Sequence, residues 1–108
     1  MIVRMWHGVT PGAKADAYYD FLGRSGIPDY QATEGNEGVM VLRQIEGDEA
    51  HFLLLSFWRS LEDIKKFAGA DVERARYYPE DSDYLLEFEE NVVHFELLSD
   101  TRFPAVRE

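Results

Sequence analysis

The chain has 108 residues, no cysteine and a formal net charge of -10, which comes from 21 acidic and 11 basic residues. This length suits one domain with a single core, and the absence of cysteine excludes disulfide bridges, thiolate metal sites and a cysteine nucleophile. The acidic balance disfavours nucleic acid as a partner, because phosphate binding requires clustered lysine and arginine side chains.

The first residues and the apolar runs bear on localisation. The stretch from Met1 to Thr10 lacks the basic and apolar regions of a signal peptide. The longest apolar run, Phe52 to Leu55, is far below the roughly 20 residues that a membrane span needs. We therefore expect a cytoplasmic protein with no membrane partner.

The first third of the chain predicts a strand, a helix and a loop. Apolar and polar residues partly alternate from Ile2 to Val9, as they do in a strand. Thr10 and Pro11 then suit the N-cap and the first position of a helix. A run rich in glycine and proline predicts a loop from Gly23 to Gly38. The apolar face of the helix comprises Ala13, Ala17, Tyr18, Phe21 and Leu22.

The middle of the chain predicts a hairpin followed by a second helix. β-branched residues favour a second strand from Val39 to Ile45, and Ala50 to Trp58 returns as a third strand after a turn at Gly47. Ser60 and Asp63 form a pattern like a capping box, so we expect a short helix there that stops at Gly69.

The last third of the chain completes the predicted fold. Ser82 to Phe88 predicts one or two further helical turns, and Asn91 to Leu98 predicts a fourth strand. Residues 1–98 are assigned to a single domain, and Ser99 to Glu108 to a polar C-terminal tail. The order βαββαβ predicts an α+β ferredoxin-like fold whose antiparallel sheet has the order 4-1-3-2, with both helices on one face.

The uncovered face of such a sheet predicts a homodimer. In an isolated subunit we expect Ile2, Trp6, Val92 and Leu98 to be exposed to water. A second copy would bury this face and protect the edge strands.

The three histidines are candidates for a metal site, since imidazole binds zinc, copper and iron. Centred pairing of the first and fourth strands places Arg4 opposite Glu96 and Trp6 opposite His94. In that register His7 and His94 point to opposite faces of the sheet. His51 lies early in the third strand, at the same end of the sheet. We therefore expect no three-histidine metal site.

Aromatic residues after the third strand are candidates for ligand contacts. Trp58 ends that strand, and Tyr77, Tyr78 and Tyr84 follow the second helix. Phenols donate hydrogen bonds while their rings supply an apolar wall. The plainer interpretations are that Trp58 plugs the core and that the tyrosines pack a loop. The chain has no phosphate-binding loop or dinucleotide fingerprint in the required context, which disfavours a nucleotide cofactor.

Five short motifs together resemble the antibiotic-biosynthesis-monooxygenase family, in particular a subgroup named only as monooxygenase-like. The resemblance covers nearly the whole chain. The motifs are Arg4-Met5-Trp6, Trp58-Arg59-Ser60, Phe67-Ala68-Gly69, Tyr77-Tyr78-Pro79 and His94-Phe95-Glu96. The resemblance implies a dimeric α+β barrel in which Trp58 lines a cavity and stacks on a flat aromatic ligand. It also implies oxidation with molecular oxygen and no cofactor.

Two branches of that family need residues that this chain lacks. The quinone-forming members place an asparagine shortly before the strand-3 tryptophan, where this chain has Leu54. The haem-degrading branch needs an asparagine on the first strand and a histidine on the helix after the tryptophan. Ile2 to Val9 contains no asparagine, and Leu61 to Gly69 contains no histidine. The resemblance therefore gives haem degradation little support.

Two functions remain from the sequence. The first is a cofactor-independent monooxygenase-like enzyme acting on a small aromatic or quinol compound. His94 or His7 is then the candidate base, since imidazole titrates near neutrality, and Trp58 and Trp6 would stack on the substrate. Tyr77 or Tyr78 would orient its oxygen. The alternative is a homodimer of the same fold that binds a small ligand, or is purely structural, with no turnover.

Overall fold

A computed structural model describes residues 1–102, and the predicted tail beyond Arg102 lies outside the described residues. The fold is the expected ferredoxin-like α+β arrangement of one four-stranded antiparallel sheet with helices on one face. The strands are β1 (Ile2–Pro11), β2 (Asn36–Glu46), β3 (Glu49–Trp58) and β4 (Val93–Glu96). The helices are α1 (Ala15–Arg24), α2 (Gly26–Ala32) and α3 (Leu61–Ala68), with 3-10 turns at Gly12–Lys14 and Pro79–Asp83.

The sheet order β2-β3-β1-β4 is the predicted order counted from the other edge, so this prediction is confirmed. Strict alternation in β3 creates two different faces, since successive side chains point to opposite sides. The even-numbered residues of β3 are buried under the helices, whereas the odd-numbered ones between them are only partly buried. Within residues 1–102, no helix combines the length and the apolar character that a membrane crossing requires.

The predicted start of the first helix is wrong. Thr10 and Pro11 continue β1 and pair with Ala50 and Glu49 of β3. Pro11 is tolerated because β4 pairs with β1 only as far as Met5, so the proline nitrogen interrupts no second ladder. The helix α1 starts after a 3-10 turn, and it buries Ala15, Tyr18, Phe21 and Leu22. Ala13 and Ala17, expected on this face, are exposed.

The predicted loop from Gly23 to Gly38 contains the helix α2, so this prediction is also wrong. Pro28 lies in the first turn of α2, where its missing N–H breaks no helical hydrogen bond. The helix buries Tyr30, whose ring stacks on Phe67 with 4.4 Å between centroids. Tertiary packing of one tyrosine thus overrides a local composition rich in glycine and proline.

The helix α3 has the predicted boundaries. The Ser60 side chain accepts a hydrogen bond from the Asp63 backbone N–H at 3.1 Å, which satisfies one of the free donors of the first turn. Gly69 ends the helix with φ at +94°, a conformation that favours glycine. The turns predicted at Ser82 to Phe88 are instead a 3-10 turn at Pro79–Asp83, which begins earlier because Pro79 favours the first helical position.

The predicted register of β1 with β4 is displaced by two residues. Arg4 lies opposite His94, and Ile2 lies opposite Glu96, so the expected pairs Arg4–Glu96 and Trp6–His94 do not form. A shift of two residues keeps every side chain on its face, because the period of a strand is two. His7 and His94 therefore point to opposite faces, as expected. The Leu97 N–H donates a hydrogen bond to the Met1 carbonyl at 3.0 Å, which continues this register.

The face away from the helices, here called the open face, is apolar but differs in composition from the prediction. Trp6 and Val92, expected to be exposed, are buried under the helical layer at 7 % exposure each. The open face instead carries side chains from all four strands, because directly paired residues share a face. They include Met5, Leu42, Leu53, Leu55, Val93 and Phe95.

Candidate functional site

A small cavity lies between the sheet and the helical layer. Its volume is about 30 Å³, which is room for about two water molecules. Known sites for drug-sized ligands are roughly tenfold larger or more, so a flat aromatic ligand requires wall side chains to move. Both polar and aromatic side chains line the wall, which includes Arg4, Trp6, Tyr18, Tyr30, Tyr78 and Asp81.

Trp6 supplies the sheet side of this wall. Its ring lies close to the Gly8 backbone, and a Cβ added at Gly8 would come within 2.2 Å of the indole. Glycine at this position therefore lets the indole lie along β1. The indole N–H of Trp6 points to the Tyr77 hydroxyl at 3.4 Å, and the Tyr77 hydroxyl donates to the Glu89 carbonyl at 2.6 Å.

Arg4 places a buried positive charge in the same wall. The side chain is 1 % exposed, and its guanidinium donates to the carbonyls of Val72 and Arg74. Burial lowers the pKa of Arg4, because the charged form loses its hydration. Among residues 1–102, no carboxylate pairs with this guanidinium. Arg4 thus leaves positive potential in the cavity that an anionic group of a ligand can satisfy.

Asp81 is the buried carboxylate of the cavity. One oxygen accepts the Tyr78 backbone N–H at 2.6 Å, which closes the start of the 3-10 turn. Burial raises the pKa of Asp81; the hydrogen bond from the Tyr78 backbone N–H opposes this rise, and the neighbouring Glu80 charge adds to it. A raised pKa makes a carboxylate a stronger base, closer to the range useful for proton transfer at neutral pH.

Tyr78 connects the cavity to a charged pair at the surface. Its hydroxyl donates a short hydrogen bond to the Asp29 carboxylate, which also pairs with Arg76 at 3.3 Å. The pKa of Tyr78 is raised, chiefly by burial and then by this hydrogen bond. Because its proton is donated to Asp29, the Tyr78 oxygen can take part in a further hydrogen bond only as an acceptor.

Trp58 does not line the cavity. It is completely buried, and its indole N–H donates to the Ser56 hydroxyl at 2.9 Å. Its ring packs 5.9 Å from Phe67 and 6.3 Å from Tyr30, both of which do line the cavity. Stacking of Trp58 on a ligand stays a prediction, and it would require one of these two rings to move.

The remaining predicted tyrosines lie behind the wall. Tyr84 stacks on Phe21 with 5.2 Å between centroids and packs 5.5 Å from Tyr18. Tyr77 contacts Trp6 edge-on at 6.2 Å. Neither is part of the cavity wall in this conformation, so their contact with a ligand also stays a prediction.

The candidate bases His94 and His7 lie apart from each other. His94 is on the helix-covered face, where its Nε2 lies 3.1 Å from the Arg4 guanidinium. Arginine only donates hydrogen bonds, so His94 Nε2 is the acceptor and the ring proton is on Nδ1. Burial, followed by the Arg4 charge, lowers the pKa of His94. Its basic nitrogen is thereby occupied by Arg4.

His7 is on the open face and does not reach the cavity. Its two ring nitrogens face Glu89 Oε2 at 2.5 Å and His51 Nδ1 at 3.0 Å. The structure therefore brings His7 and His51 together and separates both from His94. Whether either predicted base acts in catalysis stays a prediction.

Sequence reasoning assigned no role to Arg4 and Asp81, and it expected Arg4 to pair with Glu96. The sequence offered one signal for Arg4, which is a charged residue in the middle of a partly apolar strand. Such a residue is almost never fully buried unless it has a partner. Asp81 carried no comparable signal, since it lies among the exposed acids of the segment from Glu80 to Glu90.

Comparison with known proteins supports the fold. No family model matches the chain, and no curated protein sequence matches it. Among solved structures, MhuD of Mycobacterium tuberculosis, described as a haem degrader with two haems in its active site, is 19 % identical with a TM-score of 0.57. That match covers 93 % of this chain and 98 % of MhuD.

Two further structures agree with this match. A MhuD mutant with two manganese protoporphyrin IX molecules per active site is 18 % identical, with a TM-score of 0.58 and coverage of 93 % and 97 %. Rv0793 of Mycobacterium tuberculosis is 16 % identical, with a TM-score of 0.59 and coverage of 93 % and 98 %. At these identities the likeness establishes the fold alone. The chain therefore has the ferredoxin-like α+β fold that its element order predicted.

Proposed function

We propose that this protein is a cofactor-independent monooxygenase-like enzyme that binds a small phenolic or quinol compound in the cavity beside Arg4. The observation that carries the proposal is a pair of buried opposite charges, Arg4 and Asp81, in one aromatic wall. Such a pair suits a substrate that must lose a proton and become an anion in an apolar site.

The proposed chemistry follows from the roles of these two groups. Asp81 accepts a proton from the substrate, and Arg4 stabilises the phenolate or enolate that forms. The electron-rich anion then reduces molecular oxygen. For an anthrone-like methylene, one oxygen atom becomes the new carbonyl, and the other leaves as water with the two methylene hydrogens. The substrate supplies all four electrons, so the reaction needs no other reductant.

The wall residues would orient the substrate. Trp6 and Tyr78 are the predicted binding residues that reach the cavity, and Tyr78 offers its oxygen as an acceptor for a substrate hydroxyl. Trp58 would support the wall through Phe67 and Tyr30. His94 would act through Arg4, because its Nε2 contacts the guanidinium. Neither His94 nor His7 is the base in this proposal.

The haem bound by MhuD is not carried over as the substrate of this chain. The first strand lacks asparagine and α3 lacks histidine, and a cavity of about 30 Å³ is far from the size of a porphyrin. Haem titration followed by absorbance is nevertheless a direct control, because saturable binding at one or two haems per chain would favour the porphyrin over the quinol.

Oxygen uptake with a panel of anthrones and hydroquinones tests the proposed function. We expect uptake by the unmodified protein and a loss of about a hundredfold or more in turnover for Asp81→Asn, with ligand affinity nearly intact. Asp83→Asn is the matched control, since Asp83 is an exposed aspartate of the same 3-10 turn.

The outcomes separate an enzyme from a binding protein. Saturable quenching of tryptophan fluorescence by a hydroquinone, with no oxygen uptake, would leave the alternative of a non-catalytic ligand-binding homodimer. Equal loss of uptake in Asp81→Asn and Asp83→Asn would remove Asp81 from its proposed role. Absence of both binding and uptake would contradict the proposal.

We also propose that the open face forms a homodimer. Val93 and Phe95 are each 49 % exposed, and they continue an apolar surface across β1 and β3 to Leu42 of β2. Contiguous apolar surface of this kind is usually covered in a soluble protein. A second copy also covers β4, which is only four residues long and lies at the sheet edge.

A further inference from the structure

A cluster of histidine and glutamate lies on the open face, separate from the cavity. The rings of His7 on β1 and His51 on β3 stack with 5.3 Å between centroids and planes 18° from parallel. His7 Nε2 lies 3.0 Å from His51 Nδ1, and His7 Nδ1 lies 2.5 Å from Glu89 Oε2. Glu87 completes the cluster, since one ligand atom from each of His7, Glu87 and Glu89 lies within 4.8 Å of the others.

With both imidazoles neutral, the contacts in this cluster cannot all be favourable. One additional positive charge is needed. If His7 donates to Glu89, then His51 donates to His7, and His51 Nε2 carries a lone pair 3.3 Å from a Glu46 carboxylate oxygen. That Nε2 atom is buried and has no hydrogen-bond partner among residues 1–102.

The opposite arrangement creates the same conflict at the other end. If His7 donates from Nε2 to His51, then His7 Nδ1 carries a lone pair 2.5 Å from Glu89 Oε2. Each arrangement of neutral rings thus places a nitrogen lone pair against a carboxylate, which is repulsive. A positive charge at one end of the histidine pair, whether a proton or a metal cation, removes the repulsion.

We propose that a divalent cation binds to His7 Nδ1, Glu87 and Glu89. One imidazole nitrogen with two carboxylates suits a borderline metal ion such as Zn²⁺, which takes three protein ligands and one water. Ligand atoms around tetrahedral zinc lie about 3.3 Å apart, so a bound ion would separate His7 Nδ1 from Glu89 Oε2, now 2.5 Å apart, and would hold all three groups, now within 4.8 Å of one another, at that spacing. This site differs from the three-histidine site that we did not expect, because His7 is its sole histidine ligand.

His51 is the positioning residue of this site. It accepts the N–H of His7 Nε2, which fixes the tautomer and leaves His7 Nδ1 free for the metal. Metal-bound histidines usually make such a hydrogen bond with their second nitrogen. His51 Nε2–H is then directed toward the carboxylates of Glu46 and Glu49, at 3.3 and 3.8 Å.

The segment that carries the two glutamates is anchored on both sides. The Leu86 N–H donates to the Val9 carbonyl at 2.8 Å, and the Tyr77 hydroxyl donates to the Glu89 carbonyl at 2.6 Å. Beyond Met5, β1 has no partner in β4, and this segment lies beside it instead. Anchoring reduces the conformational entropy that ligand side chains lose on binding a metal.

Calorimetric titration of chelator-treated protein with Zn²⁺ alone tests the site. We expect one Zn²⁺ per chain, with affinity about 100-fold lower in His7→Gln and about 10- to 100-fold lower in Glu89→Gln, Glu87→Gln and His51→Gln. Glu46→Gln and Glu49→Gln are the matched controls, since they remove the same charge at the other end of the histidine pair. Their affinity should change less than about threefold.

Two results would overturn the site: no saturable binding by the unmodified protein, or an equal effect of the control variants. Circular dichroism checks that each variant is folded. If a variant unfolds, nitrogen NMR of the unmodified protein decides, because Zn²⁺ should shift the His7 ring nitrogens and leave those of His94 unchanged. A shift of His94 with none at His7 would contradict the proposal.

Discussion

The two faces of the sheet, built from the same strands, have opposite chemistry. On the helix-covered face, Arg4 and Trp6 are buried and His94 is partly buried, and burial lowers the pKa of Arg4 and of His94. On the open face, His7 lies beside Glu89 and remains partly exposed. A side chain's chemistry here depends on strand parity, because one position along the strand decides between low and high dielectric surroundings.

The largest effect on stability is expected from a substitution on the helix-covered face. Trp58→Ala should lower the free energy of unfolding by about 3 to 5 kcal/mol, because it empties a completely buried indole site and removes the donor to Ser56. Its neighbour Phe57, on the open face and only partly buried, is the matched control. Urea unfolding at equal protein concentration measures both, and an equal loss in Phe57→Ala would contradict the distinction between the faces.

The next largest effect is expected on self-association, from a substitution on the open face that leaves the core unchanged. Phe95→Glu should weaken self-association about 30-fold or more, or about 2 kcal/mol, because a charge would have to be buried between two apolar sheets. Leu61→Glu places the same charge at an exposed apolar residue of α3 and should leave association unchanged. Sedimentation at micromolar concentration measures this. A stable monomer in the unmodified protein would contradict the homodimer itself.

The smallest effect is the pH dependence of stability that His94 contributes on the helix-covered face. The pKa of His94 is lowered in the fold, below its ordinary value of 6.5, so the unfolded chain binds a proton more readily. The stability that neutral His94 contributes is complete above pH 6.5 and is lost as the pH falls through its folded pKa. His94→Gln keeps an acceptor for Arg4 but does not titrate, so it should lack this part of the acid destabilisation.

Urea midpoints of the unmodified protein and His94→Gln between about pH 7.5 and about pH 5 check this prediction. The difference between the two proteins should grow as the pH falls. Parallel curves would show that His94 has the same pKa in the folded and unfolded chain, and they would remove it from the covered face as an electrostatic element.

The elements that sequence reasoning predicted well are those with strong local signals. The helix α3 has its cap at Ser60 and its stop at Gly69, and both act through contacts within a few residues. The alternation in β3 likewise follows from its own side chains. The helix α2 lacked such a signal, because its formation depends on Tyr30 packing against Phe67, which is far away in sequence.

Sequence reasoning named some of the residues that line the cavity but not their arrangement, and their part in a functional site stays a prediction. Trp6 and Tyr78 reach the cavity, whereas Trp58 is one layer behind it. A tryptophan at the end of a strand either lines the cavity or lies behind it, depending on which helix packs above it. Sequence alone does not specify that α2 places Tyr30 in this position.

By itself, the sequence determined the order of the four strands along the chain and the helix α3, which follow from local periodicity and caps, and the separation of His7 from His94, which follows from strand parity. The sheet order followed from the βαββαβ pattern. Only the tertiary structure decided the pairing of β1 with β4, which is displaced by two residues and gives Arg4 backbone carbonyls and His94 as partners instead of Glu96. It also decided that His7 meets His51 and Glu89. Contacts between distant segments depend on register and loop placement, and neither leaves a period in the sequence.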